Sequence, residues 1–266
     1  MYGYRSFRYL IVLITVTISI TSCHIIYDKP KPKTRNFICV VDFSSATNSQ
    51  ERQAFYMTVI KNNIIKQLAL TDRITVLPVD KASVTNSSEI LIIDLSIKDF
   101  EPDASSPMET DKITQENFSK FKDSLGISFE TCFNKSVSNR TLQNQGTDLF
   151  GALNNVKGYI KTNADNYIVF LSDMMNYTNT LIMEPSNPNF SKNNLDAILN
   201  KLSGINLPNT TVLVLTADQP GLTTEHFDLV KTFWTQYFNR NKIKLYDYSS
   251  ASVSKLNDLM SLPISK

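Results

Sequence analysis

Three stretches constrain this chain more than any other feature: "NFICVVDF" (Asn36 to Phe43), "NYIVFLSD" (Asn166 to Asp173) and "TTVLVLTA" (Thr210 to Ala217). Each is a near-continuous apolar run rich in Val, Ile and Leu, without the alternation of a half-buried strand. Such runs are strands buried on both faces, which is the condition at the centre of a parallel sheet covered by helices on either side. The intervening segments supply the helices. Met57, Ile60, Ile64 and Leu68 recur at helical spacing, as do Leu149, Leu153, Val156 and Ile160. Further helices are expected over Leu195 to Leu202 and Thr224 to Asn239.

Three more strands complete the pattern: "RITVLPVD" from Arg73, "EILIIDLSI" from Glu89 and "KIKLYDY" from Lys242. The linker Lys81 to Ser88 is too short for a parallel crossover, which needs about a dozen residues. The strand after it therefore pairs antiparallel at a sheet edge. Strands alternating with helices predict an α/β fold, a doubly wound Rossmann-like open sheet that is mostly parallel with one antiparallel edge strand. Lys98 to Thr114 reads as a polar loop, and the following segment as a helix in two pieces hinged at Gly126; together they form an insert near 98–138. Met174 to Phe190, with Pro185 and Pro188, reads as a long loop whose Met and Tyr side chains are exposed for partner contact. Trp234, Tyr237 and Phe238 sit at helical spacing and read as helix packing.

The beginning of the chain has a different character. Arg5 and Arg8 precede an apolar run, Leu10 to Ile20, which is half the roughly 20 residues of a membrane span. A basic start, a short apolar core and "ITSC" ending at Cys23 predict a signal peptide over 1–22. A Cys at that place resembles the bacterial lipoprotein signal, which implies lipidation of Cys23 and a tether over 23–35 rich in Pro and Lys. The domain proper is expected over 36–266, lipid-anchored and extracytoplasmic in a bacterial cell envelope, whether periplasmic or at the surface. Removing 1–22 takes away two arginines and no acid, so the net charge falls from +2 to 0. A neutral domain argues against nucleic acid as partner. Cys39, inside an apolar strand, and Cys132 are expected to remain unpaired thiols.

In an open α/β sheet the ligand crevice lies beyond the carboxyl ends of the strands, where strand order reverses. Here that reversal falls between the first strand and the strand ending at Asp173. Asp42 and Ser44 in "VDFSSATNS", Thr147 in "GTDLFGAL" and Asp173 in "FLSD" converge there. Taken singly, each residue has an ordinary structural reading. Asp42 and Asp173 end strands and cap turns, Thr147 serves as a helix N-cap, and Ser44 is a loop hydroxyl.

Together these segments resemble the von Willebrand factor A (vWA) domain and its metal-ion-dependent adhesion site. Asp42 and Ser44 match the first two positions of its D-x-S-x-S motif, Thr147 its later Thr, and Asp173 its last acid. The second serine of the motif is Ala46 here. The resemblance runs from about Asn36 to Tyr248. It implies a metal site of Asp42, Ser44, Thr147 and Asp173 holding Mg2+ or Mn2+, and a non-enzymatic module that binds a protein in the cell envelope. Ala46 keeps open a metal-independent scaffold of the same fold. A haloacid-dehalogenase-like phosphohydrolase would need a second acid where Ser44 stands. The chain has 7 glycines but no G-x-G, no P-loop, no G-x-S-x-G and no H-E-x-x-H, which leaves no catalytic motif.

Overall fold

In a computed structural model, the structure describes residues 34–44, 49–81, 90–94, 97–102, 106–140, 146–216, 222–250 and 253–262. The expected signal peptide, Cys23 and Ala46 lie outside the described residues. Six strands, β1 (Thr34–Asp42), β2 (Arg73–Val79), β3 (Leu91–Asp94), β4 (Ala164–Leu171), β5 (Thr210–Thr216) and β6 (Lys244–Ser250), form one sheet in the order β3-β2-β1-β4-β5-β6. All neighbouring pairs are parallel except β2 and β3, which are antiparallel. β2 and β3 are therefore the antiparallel edge pair expected from the short separation between them. Strand order reverses between β1 and β4, as expected.

Helices cover both faces. They are α1 (Gln50–Thr58), α2 (Pro107–Arg140), α3 (Leu149–Val156), α4 (Leu195–Lys201), α5 (Thr224–Arg240) and α6 (Val253–Met260). The two-residue period of β1 divides the core. Phe37, Cys39 and Val41 join one cluster with residues of α1, α2 and α6, whereas Ile38 and Val40 join another with residues of α3, α4 and α5. Trp234, Tyr237 and Phe238 are buried in the second cluster, as their helical spacing implies. Among the described residues no helix is long and apolar enough to cross a membrane.

The structure corrects several expectations. β1 begins at Thr34, two residues before the domain start expected at 36. Arg35 is buried there, donating to both Asp72 carboxylate oxygens at 3.0 and 2.5 Å and to the Met260 carbonyl. The insert near 98–138 is mainly one 34-residue helix, α2, with no hinge at Gly126. Glycine costs about 1 kcal/mol in a helix interior. Here Leu125, Phe129 and Phe133 on either side of that turn are buried and hold it. α1 continues through a π-helical turn, Val59–Ile64, and a 3-10 turn, Ile65–Gln67. The last strand starts at Lys244 because Lys242 takes the left-handed conformation, φ 57°. The amphipathic α6 after it was not expected from the sequence pattern.

Candidate functional site

The crevice opens at the carboxyl ends of β1 and β4, and its walls are pinned by named hydrogen bonds. Asp42, the last residue of β1, is buried, and its two oxygens have different partners. Oδ1 accepts the Ser44 amide at 2.9 Å, and Oδ2 accepts Ser172 Oγ at 2.6 Å. Ser172 Oγ in turn accepts the Met174 amide at 2.9 Å, which ties the first wall to the end of β4. Sequence reasoning passed over Ser172. Its only signal is its position beside Asp173 in "FLSD".

Thr147 begins the second wall. It is not the helix cap: Asp148 is, its Oδ1 accepting the Gly151 amide at 2.8 Å. Thr147, just before the cap, is among the residues that line the cavity. The Thr147 carbonyl accepts the Tyr177 amide at 2.8 Å. Gly146 has φ +134°, and a Cβ there would stand 2.9 Å from the Tyr177 carbonyl oxygen. Glycine is required at this point because the two backbones approach so closely.

The third wall is the segment after Asp173. Met174 has φ 60°, a strained conformation for a residue with a side chain. Its carbonyl accepts the Trp234 indole N–H at 2.7 Å. Asn176 is fully buried; its Oδ1 accepts the Leu149 amide at 3.0 Å, and its Nδ2 donates to the Leu181 carbonyl at 2.8 Å. These bonds fold the segment inward. Met174 and Met183 are consequently buried, against the expectation of exposed methionines, while Tyr177 is 42% exposed.

Between the walls lies a cavity of about 570 Å3, with Ser44, Thr147 and Asp173 in its lining and Lys81, Tyr177 and Glu184 around them. Asp173 is the most constrained group in it. Oδ1 accepts the Met175 amide at 2.9 Å, while Oδ2 is buried without a hydrogen-bond partner. Burial pushes the Asp173 carboxyl up to about 7, and the charge of Asp42 pushes in the same direction. The Met175 amide and the Arg52 guanidinium pull it down by less.

Three of the four predicted site residues thus line one cavity, and Asp42 stands behind them, held to Ser44 and Ser172. Among the described residues no three His, Cys, Asp or Glu side chains gather as a metal cluster. The oxygen-bearing side chains among the predicted residues that line the cavity are instead Ser44, Thr147 and Asp173, and one carboxylate oxygen of Asp173 has no hydrogen-bond partner. Such all-oxygen donors suit a hard divalent cation that keeps several waters. The orphaned Asp173 oxygen is the observation that makes the residues fit one.

The strand order, the antiparallel edge strand and the crevice at the reversal define a doubly wound, Rossmann-like α/β domain. No family model matches the sequence, and no curated protein matches it. Among solved structures, the chain is similar to BatB, a conserved hypothetical protein from Bacteroides thetaiotaomicron, at 14% identity. That match covers 85% of this chain and 95% of the other, with a TM-score of 0.46. A von Willebrand factor type A protein from Catenulispora acidiphila is 10% identical over 86% of this chain and 41% of its own, TM-score 0.41. Manganese-loaded TRAP protein from Plasmodium vivax is 13% identical over 86% of this chain and 73% of its own, TM-score 0.45. At these similarities the functional reading rests on the residues of the crevice.

Proposed function

We propose that this chain is a non-enzymatic, vWA-like protein-binding module, lipid-anchored through Cys23 and held outside the cytoplasm in a bacterial cell envelope. Its binding site is the crevice at the carboxyl ends of β1 and β4. Ser44, Thr147 and Asp173 would hold Mg2+ or Mn2+ there, with Asp42 behind them orienting Ser44. A bound divalent cation supplies an open coordination position for an acidic side chain of the partner. This chain's own residues do the rest. Ser172 fixes Asp42, the Met175 amide orients Asp173, and Asn176 holds the Tyr177 segment against Thr147. The single observation that carries the reading is the buried, unpartnered Oδ2 of Asp173, a residue that lines one cavity with Ser44 and Thr147.

A metal-independent scaffold of the same fold is the second reading. It is favoured by Ala46, which has no side-chain oxygen, and by Asp42, both of whose carboxylate oxygens already accept hydrogen bonds within the chain. One experiment separates the two. A photoreactive residue replacing the exposed Tyr177 is crosslinked in intact cells. The first reading expects a discrete protein adduct that disappears with chelator and in the additional variant Thr147→Val. An adduct that survives both supports the scaffold and refutes the metal-bridged contact.

A further inference from the structure

We propose that Arg140, the last residue of α2, is the positioning residue of the crevice, although it does not line it. The inference rests on the crevice being the binding site. Two consecutive residues at the end of β2 stitch the walls together. The Val79 carbonyl accepts the Phe43 amide at 3.0 Å, next to Ser44, and the Asp80 carbonyl accepts the Asp148 amide at 3.0 Å, next to Thr147. The separation of the Ser44 and Thr147 walls is therefore set by where Asp80 sits.

Asp80 is held by α2. Its carboxylate is buried and accepts Arg140 Nη1, and both side chains are 10% exposed or less. A buried carboxylate of this kind is costly to leave without its cation, so Arg140 is one of the groups that fix the position of Asp80. α2 also reaches the other wall directly. The rings of Phe133 and Phe43 are tilted against each other with centroids 5.4 Å apart. A rod of about 50 Å thus ends in an ion pair behind the site and packs on the residue before Ser44. The rest of α2 is anchored on the same side by Phe118, Leu125 and Phe129, which are buried in the core cluster shared with α1 and α6. Displacing the end of α2 would move Asp80, then Asp148 and Thr147, and with Thr147 the Tyr177 segment that its carbonyl holds.

The test uses the full chain and two readouts, amide exchange and Mn2+ affinity, in Arg140→Met and Arg140→Lys. Arg140→Met is expected to speed exchange at the Asp148 and Tyr177 amides by about tenfold or more relative to amides of β5. It should also weaken Mn2+ binding, by about tenfold if the displaced Thr147 wall costs as much as losing a group bonded directly to a ligand. Arg140→Lys, which keeps the positive charge, should recover most of both. If Arg140→Met does not fold, Asp80→Asn retains the carbonyl that Asp148 uses and is read in the same way. Exchange that rises equally in β5 and the crevice, with unchanged Mn2+ affinity, would reduce Arg140 to a structural residue and overturn the proposal. Should the unmutated chain bind no Mn2+, the metal reading fails by itself, and local amide exchange still decides whether Arg140 positions the walls.

Discussion

Asp173 should make the stability of this protein fall as pH rises, the reverse of the usual behaviour of a paired carboxylate. Its folded-state value lies at about 7, against an ordinary value of 3.8, because burial and the charge of Asp42 both oppose ionisation. The native state therefore binds more protons than the unfolded state between these limits. The Asp173 contribution to stability is greatest below about pH 4, declines through the interval, and is lost above about pH 7. At about 1.4 kcal/mol per pH unit, the displacement is worth about 4 kcal/mol once the group is fully ionised. Asp173→Asn keeps an acceptor for the Met175 amide and removes the titration. The assay is urea denaturation of both proteins across pH 4 to 8.5 in chelator, reading the difference between them, which cancels distant carboxylates and reports Asp173 together with its repulsion by Asp42. The variant should match the parent at pH 4 and exceed it by about 4 kcal/mol at pH 8. A swing below about 1 kcal/mol would refute the reasoning, since it would mean that Asp173 is solvated or already balanced by charge. Saturating Mn2+ should raise the parent at pH 8 and leave the variant unchanged.

Other consequences follow from single contacts. Gly146→Ala should cost about 1–3 kcal/mol in denaturation and weaken any ligand of the crevice, because the added Cβ meets the Tyr177 carbonyl at 2.9 Å. Trp234→Phe removes the indole donor to the Met174 carbonyl and should cost about 1–3 kcal/mol, with increased amide exchange confined to the segment after Asp173. In the native protein an aromatic disulfide reagent should label Cys132, which is exposed, and spare Cys39, which is buried with its thiol pushed far above the reactive range. Peptide mapping of the labelled protein decides this, and equal labelling of both would contradict the placement of Cys39 in β1.

The strands were legible because burial on both faces leaves no room for polar residues, so "ICVV", "YIVFL" and "VLVL" announce a central sheet without any tertiary information. The antiparallel edge followed from chain length alone. The site was legible in part for the same reason: acids and hydroxyls at strand ends are conspicuous after apolar runs, and topology brings those ends together. What escaped depends on distant partners. Ser172 is an ordinary loop serine until Asp42 is placed 2.6 Å from it. The Arg140 and Asp80 pair joins positions 60 residues apart. α2 looked broken at Gly126 because local propensity penalises glycine, yet buried aromatics on the same helix outweigh that penalty. The methionines after Asp173 looked exposed because their segment is rich in loop residues. Asn176 and Trp234 turn its backbone inward through bonds that no local pattern encodes.

The central claim is that the crevice formed by Ser44, Thr147 and Asp173 holds a divalent cation. Calorimetric titration of the chain with Mn2+ near pH 7.5, beside Asp173→Ala, tests it most directly. The account predicts one saturable site in the parent and none in the variant. No binding at millimolar Mn2+, or binding that Asp173→Ala leaves unchanged, would contradict it.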